Sequence, residues 1–149
     1  MARADFPAPV EGFVATHFVV AEDIDRTAHF YTHVLGGQVV FGAAGTPFFI
    51  KLANTWVIVN AGGGPTADKP TVTLEPPPDP NRASAFMNIR VADIAAIYAE
   101  WSERGAEFLT EPLDNNGYEL RCYLRDPDGR IIEVGQPTGM LAIFGLADG

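Results

Sequence analysis

One stretch of this chain is written twice. Thr16-His-Phe-Val-Val-Ala-Glu-Asp-Ile24 and Phe86-Met-Asn-Ile-Arg-Val-Ala-Asp-Ile94 are both β-rich runs ending in Asp-Ile, with Asp23 and Asp93 separated by 70 residues. A fixed-period repeat constrains a fold more than any single motif, because each copy is one supersecondary unit. Each Asp is placed to cap a helix, its carboxylate accepting the orphan N–H groups of the first turn. Apolar residues follow at helical spacing: Ile24, Ala28, Tyr31, Val34 and Leu35 in the first copy, Ile94, Ile97, Tyr98 and Trp101 in the second. Gly36-Gly37 and Gly105 then stop the two helices.

Beyond each helix the period becomes that of strands, predicted over 37–41, 46–53 and 55–60, and again over 106–109, 118–125 and 130–134. Strand, helix, three strands is the order in both halves. The expected fold is therefore α+β, with two tandem βαβββ modules in one domain of 149 residues. Module 1 spans about 12–66, a linker 67–84, module 2 about 85–138, and an apolar tail 139–149. The linker region carries Gly62-Gly-Gly-Pro65 and Glu75-Pro-Pro-Pro-Asp-Pro80, and proline blocks continued pairing, leaving room for one short edge strand at Thr71–Leu74. The tail Met140-Leu-Ala-Ile-Phe-Gly-Leu146 is apolar enough to dock on the body or on a partner subunit.

Composition narrows the function classes. Apolar residues make up 47% and charged residues 19%, enough to bury a core without staples. No apolar run approaches the roughly 20 residues that cross a bilayer. The segment Met1–Pro7 lacks a signal-peptide core, and the lone Cys122 has no partner for an internal disulfide. These features read as cytoplasmic, with no membrane partner. A net charge of −9 argues against nucleic acid and favours cationic or neutral ligands over polyanions, or else serves solubility alone.

Turn chemistry sets the last hairpin. Asp126-Pro127-Asp128-Gly129 has Pro at the second turn position and Gly where a left-handed residue is needed. Asp126 then pairs with Arg130, Tyr123 with Glu133, and Arg121 with Gly135. Glu133, Tyr123 and Arg121 share one face, while Leu120, Cys122, Leu124, Ile132 and Val134 share the other. The apolar face suits packing on helices, so the polar trio lies on the opposite side of the sheet.

Two motifs on this repeat resemble a known family. Asp23-Ile-Asp-Arg-Thr-Ala-His-Phe-Tyr31 with Val34-Leu-Gly-Gly37 is similar to the first-module signature of the glyoxalase / bleomycin-resistance / dioxygenase (vicinal oxygen chelate) superfamily. Asp126-Pro-Asp-Gly-Arg-Ile-Ile-Glu133 resembles its second-module closing signature. The resemblance implies sheets curled into a cup, helices outside, a small molecule within, and a homodimer. It also implies, for metal-dependent members, a divalent Fe, Mn, Ni or Zn ion held by His, Glu or Gln from the first and last strands of each module. The position matching such a ligand in the last strand is Glu133. The two first-strand positions hold Thr16 and Phe86, and phenylalanine does not ligate. His17 is one residue off, reaching a metal with Glu133 only if the first strand is re-registered. Alternation places it opposite Thr16.

The candidate ligand-binding residues are Thr16, Phe86, Asn88, Arg90, Arg121 and Tyr123, which supply stacking, hydrogen bonds and charge. Glu133, Tyr123 and Arg121 are the candidate catalytic residues, and Glu133 with His17 the candidate metal ligands. Glu133 is equally readable as a carboxylate paired with Arg121 or held by Tyr123. His29 and His33 are four apart but lie on the polar side of their helix, as surface residues. Trp56 and Trp101 read as core or helix-face anchors, and Lys51 as a strand residue facing either way. Two functions are expected: a metal-free binder of an aromatic or cationic compound, or a divalent-metal-dependent lyase, isomerase or extradiol-type dioxygenase. A third is catalysis without metal, with Arg121 and Tyr123 as charge stabiliser and acid.

Overall fold

A computed structural model describes residues 5–146. The chain divides into two compact units after Pro78, inside the expected linker. The first unit contains β1 (His17–Ala21), α1 (Ile24–His29), β2 (Gln38–Phe41), β3 (Phe48–Leu52) and β4 (Thr55–Ala61). Its sheet runs β1-β4-β3-β2, with β1 parallel to β4 and the other pairs antiparallel. The second contains β5 (Met87–Arg90), α2 (Ile94–Glu103), β6 (Glu107–Phe108), β7 (Leu113–Asn115), β8 (Glu119–Arg125), β9 (Ile131–Pro137) and the short α3 (Met140–Ile143). That sheet runs β5-β9-β8-β6, with β7 also on β8 and β5 parallel to β9. Both units are thus mixed α+β. No helix among the described residues is long and apolar enough to cross a membrane.

The repeated Asp residues do what their position predicts. Asp23 Oδ1 accepts from Arg26 N at 3.1 Å and Asp93 Oδ1 from Ala96 N at 3.0 Å, each satisfying an orphan donor of the first turn. Beyond the caps the helices differ. Residues Phe30–Val34 continue α1 as a π-helical turn, with Leu35 N bonded to Phe30 O at 3.2 Å. The Thr32 hydroxyl takes the carbonyls of Ala28 and His29 at 2.9 and 3.2 Å, diverting acceptors from the regular ladder. The widened turn brings Phe30 into the core beside Tyr31, Val34 and Leu35, which a 3.6-residue period does not foresee. Ile24, expected in the core, is only half-buried.

Each unit buries one face of its sheet. In the first, α1 and the π-turn pack on β3 and β4, covering Ile50, Val57 and Val59, all fully buried. In the second, α2 packs on β9 and Cys122, Leu124, Ile132 and Val134 are buried. Burial pushes the Cys122 thiol up to about 11, so it stays protonated and unreactive. Gly37 follows the π-turn because a Cβ there would sit 2.6 Å from Ile50 Cγ2 and 2.7 Å from Tyr31 O.

Three expectations are corrected. Thr71–Leu74 forms no strand: only Leu74 pairs, through a single bridge to Gly63, because Pro70 and Pro76–Pro78 interrupt any ladder. The second unit has one strand more than predicted, β7, a three-residue segment too short and polar to show alternation. The last strand runs on to Pro137 rather than ending at Val134, carried by backbone pairing that Gly135 gives no side-chain sign of. In the tail, Ile143 and Phe144 are exposed, and residues 147–149 lie outside the described residues.

The final hairpin has the register the turn dictates: Tyr123 opposite Glu133, Arg121 opposite Gly135. Gly129 sits at φ 88°, left-handed and open to glycine. The buried Asp126 carboxylate organises this turn, accepting from Asp128 N at 2.9 Å, Arg130 N at 3.0 Å and Arg130 Nη1 at 2.9 Å. Arg125 adds bonds to Pro80 O, Gly129 O and Asn81 Oδ1. Asp126→Ala strips the turn of its acceptor and leaves Arg130 with Asp128 alone at 3.2 Å, and is expected to cost about 1–3 kcal/mol in urea denaturation. Surface His33→Ala should stay within about 0.5 kcal/mol.

Candidate functional site

The exposed face of the second sheet carries a compact polar cluster, built by two rows of residues in register. Parallel pairing sets Asn88 beside Glu133 and Arg90 beside Gly135. Antiparallel pairing sets Tyr123 on the other side of Glu133 and Arg121 on the other side of Gly135. One row therefore reads Asn88, Glu133, Tyr123, and the next Arg90, Gly135, Arg121. Glu119, two residues before Arg121 on β8, completes the face.

Glu133 is 8% exposed, so its charge needs compensation. Asn88 Nδ2 donates to Oε1 at 2.9 Å and the Tyr123 hydroxyl donates to Oε2 at 3.0 Å. Arg90 Nη1 stands 4.0 Å from the same Oε1. The main partner of Arg90 is Glu119, also nearly buried, at 2.6 Å, and Arg121 reaches Glu119 at 3.9 Å. Two carboxylates and two guanidiniums thus form one neutral network. Gly135 makes room for it: a Cβ there would run into the Arg90 guanidinium.

Apolar groups border the network. Phe86, 44% exposed, meets the Tyr123 ring edge-on at 6.1 Å. The Arg121 guanidinium lies 5.7 Å from the centre of the same ring, within cation–π range. Met140 of α3 accepts from Arg90 through its sulfur at 3.8 Å, and Tyr118 O receives the N–H groups of Thr138, Gly139 and Met140. Desolvation first, then the Glu133 carboxylate, raises the Tyr123 hydroxyl above its ordinary value of 10.0.

Of the predicted residues, Phe86, Asn88, Arg90, Arg121, Tyr123 and Glu133 come together on this face. Glu133 is held by Asn88 and Tyr123, while the nearest Arg121 contact is Glu119. Thr16 and His17 belong to the first unit. Thr16 is exposed just before β1, and His17 opens β1 opposite Val57, in the row of the buried Val19 and Ala21. Alternation therefore carries His17 to the helix side of its sheet. His29 and His33 are exposed and stack on each other at 4.8 Å. Glu119 escaped the sequence reading, although its alternation with Arg121 and Tyr123 was the available signal. Trp101 is core, but Trp56 is not: it lies on the face of β4 away from Val57 and Val59, with Lys51 Nζ 5.7 Å from its ring centre.

The donor set does not fit a divalent metal. Both oxygens of Glu133 are engaged by neutral donors and a guanidinium stands beside them. Among the described residues no three His, Cys, Asp or Glu side chains come together as an ion requires.

Two predictions test this geometry. A tyrosine whose folded pKa is raised stabilises the fold fully below the ordinary value, and that stabilisation is lost as pH rises through the folded pKa. Tyrosinate absorbance of the native protein minus that of Tyr123→Phe should therefore show one group titrating above 10.0, and the variant should lose less stability in the same alkaline range. Gly135→Ala should displace Arg90 from its place over β9, costing about 1–3 kcal/mol in denaturant unfolding. Leu113→Ala at an exposed site of the neighbouring β7 serves as the neutral control.

Comparison with known proteins agrees with this architecture. The family model described as Glyoxalase/Bleomycin resistance protein/Dioxygenase superfamily matches residues 14–134. No curated protein matches the chain by sequence. Among solved structures, a glyoxalase/bleomycin resistance protein/dioxygenase from Nocardioides has a TM-score of 0.67 at 17% identity, covering 95% of this chain and 89% of that one. TnmS3, an antibiotic binding protein from Streptomyces sp. CB03234, has a TM-score of 0.60 at 17% identity, covering 88% of this chain and 100% of its own. FosX, the fosfomycin resistance protein of Listeria monocytogenes, has a TM-score of 0.60 at 16% identity, covering 87% and 96% respectively. At such identities these structures speak for the fold alone. The length of the family match, joined to the repeated module and its register, identifies this chain as belonging to the Glyoxalase/Bleomycin resistance protein/Dioxygenase superfamily.

Proposed function

We propose that this protein binds a small organic molecule, aromatic or cationic, on the polar face of its second sheet, without a metal ion. The observation that carries this reading is the state of Glu133. Its two oxygens already have their donors in Asn88 and Tyr123, and an ion at Oε1 would stand beside the Arg90 guanidinium 4.0 Å away, like charge against like. What remains open to a ligand is Phe86 and the half-exposed guanidiniums of Arg90 and Arg121. A planar ring stacks on Phe86 and is edged by Tyr123. The overall acidity of the chain, net charge −9, favours a neutral or cationic ligand over a polyanion. The antibiotic-binding TnmS3 shares the fold, and sequestration is the corresponding role for this chain.

Catalysis through Tyr123 and Arg121 ranks below binding. The Tyr123 proton is directed at Glu133 and held there by a raised pKa, which makes it a poor acid toward a bound molecule. The metal-dependent lyase, isomerase or dioxygenase reading makes a different demand, one equivalent of Fe, Mn, Ni or Zn per chain.

The deciding experiment measures metal content of the purified protein, before and after incubation with each of these ions, beside Glu133→Ala. The expected result is no stoichiometric metal. A parallel thermal-shift screen of aromatic and cationic compounds should find a stabilising ligand whose effect disappears in Phe86→Ala. At a concentration 100 times its dissociation constant that ligand stabilises by about 2.7 kcal/mol. One equivalent of metal, lost in Glu133→Ala, overturns the proposal in favour of a metalloenzyme.

A further inference from the structure

Two of the chain's three histidines stand side by side on the outside of the first unit. His29 ends α1 and His33 lies in the π-turn that continues it. A spacing of four residues puts both side chains on one face of the helix. Both are exposed, and their rings lie 4.8 Å apart between centres with planes 18° from parallel. The turn between them departs from the α-helix in a way that is frequent at functional sites. The Thr32 hydroxyl fixes it through its bonds to Ala28 O and His29 O, and Phe30, Tyr31 and Val34 anchor its other side in the core. The backbone beneath the two imidazoles is therefore held, and only their side-chain torsions are free to adjust.

The separation is that of a chelate. With metal–nitrogen bonds of about 2.0–2.1 Å, the centres of two imidazoles bound side by side on one ion lie about 4.5–5 Å apart. The surrounding charge suits a cation as well. Asp25, one turn before His29, lines with it a cavity of about 300 Å³ floored by Ala28, Val39 and Phe48. Its Oδ1 accepts from Gly45 N at 2.9 Å, which keeps the carboxylate on the rim it shares with His29. Arg26 borders a different groove, with Glu22 and Asp23. A net charge of −9 draws cations toward the whole surface.

We infer that His29 and His33 form a surface site for one divalent cation of the borderline class, Cu(II) most tightly, with Ni(II) and Zn(II) behind it. Imidazole nitrogen suits these ions, and copper stands at the top of their affinity order. A buried centre takes three or four protein ligands, whereas an exposed ion is held by two and keeps water in its other positions. Hard ions such as Mg(II) are passed over, because they select oxygen ligands. Two imidazoles release an ion readily, so it leaves on desalting and is detected only at equilibrium. The pair belongs to the first unit alone, and it stands apart from Glu133 and the reading of the second sheet.

The test is calorimetric titration of the metal-free chain with Cu(II), Zn(II) and Mg(II) at neutral pH. One Cu(II) per chain should bind, Zn(II) more weakly and Mg(II) without detectable heat. His29→Ala and His33→Ala should each weaken copper binding about a hundredfold, because either change turns a two-point attachment into a single one. Both side chains are exposed, so neither substitution threatens the fold. Metal held through Glu133 would survive both substitutions, so the two sites are read separately. In the native chain, substoichiometric Cu(II) should broaden the ring resonances of His29 and His33 together, before those of His17. No copper binding, binding that survives either substitution, equal binding of Mg(II), or broadening of His17 first overturns the inference.

Discussion

The pairing of β8 with β9 is the constraint from which the polar site follows. The turn at Asp126–Gly129 fixes the register, and a slip of one residue would exchange the two faces of both strands. Tyr123 and Glu133 would then enter the core and Leu124 and Ile132 the solvent. Asp126 prevents this by binding two backbone N–H groups and Arg130 at once. Parallel pairing of β5 with β9 then brings Asn88 and Arg90 alongside. A local turn thus positions side chains on three strands.

Charge compensation explains why that face holds together. Glu119 and Glu133 are both nearly buried, a placement that costs several kcal/mol per ion unless partners are close. Arg90 lies between them, bonded to one and 4.0 Å from the other. Its guanidinium occupies the space that a side chain at 135 would fill, so a glycine in the middle of a strand, ordinarily a weakness, here admits a cation. The network is neutral within a strongly acidic chain, with Phe86 and Tyr123 supplying the apolar border.

The first unit repeats the module but not the chemistry. Its sheet shows Trp56, Phe49 and Phe41 with a single lysine where the second sheet shows its charged network. One fold thus presents two unlike faces, as expected when function resides in grafted side chains rather than in topology. Both modules share what the backbone needs, the capping Asp and the buried alternation, and differ on their exposed faces.

The sequence by itself determined the modules, the caps and the closing hairpin. Each of these is a local property: a period, a capping carboxylate, or a turn whose Pro and Gly allow few backbone conformations. Alternation from that hairpin was enough to group Arg121, Tyr123 and Glu133 on one face and to set His17 opposite Thr16. Tertiary structure decided the partners. Alternation left Glu133 either paired with Arg121 or held by Tyr123, and the outcome, Tyr123 and Asn88 on Glu133 with Arg121 turned to Glu119 and Arg90 between the two carboxylates, depends on ångström-scale distances across three strands. The π-turn that buries Phe30 and the outward face of Trp56 likewise arise from contacts between residues far apart in sequence, which no local period records.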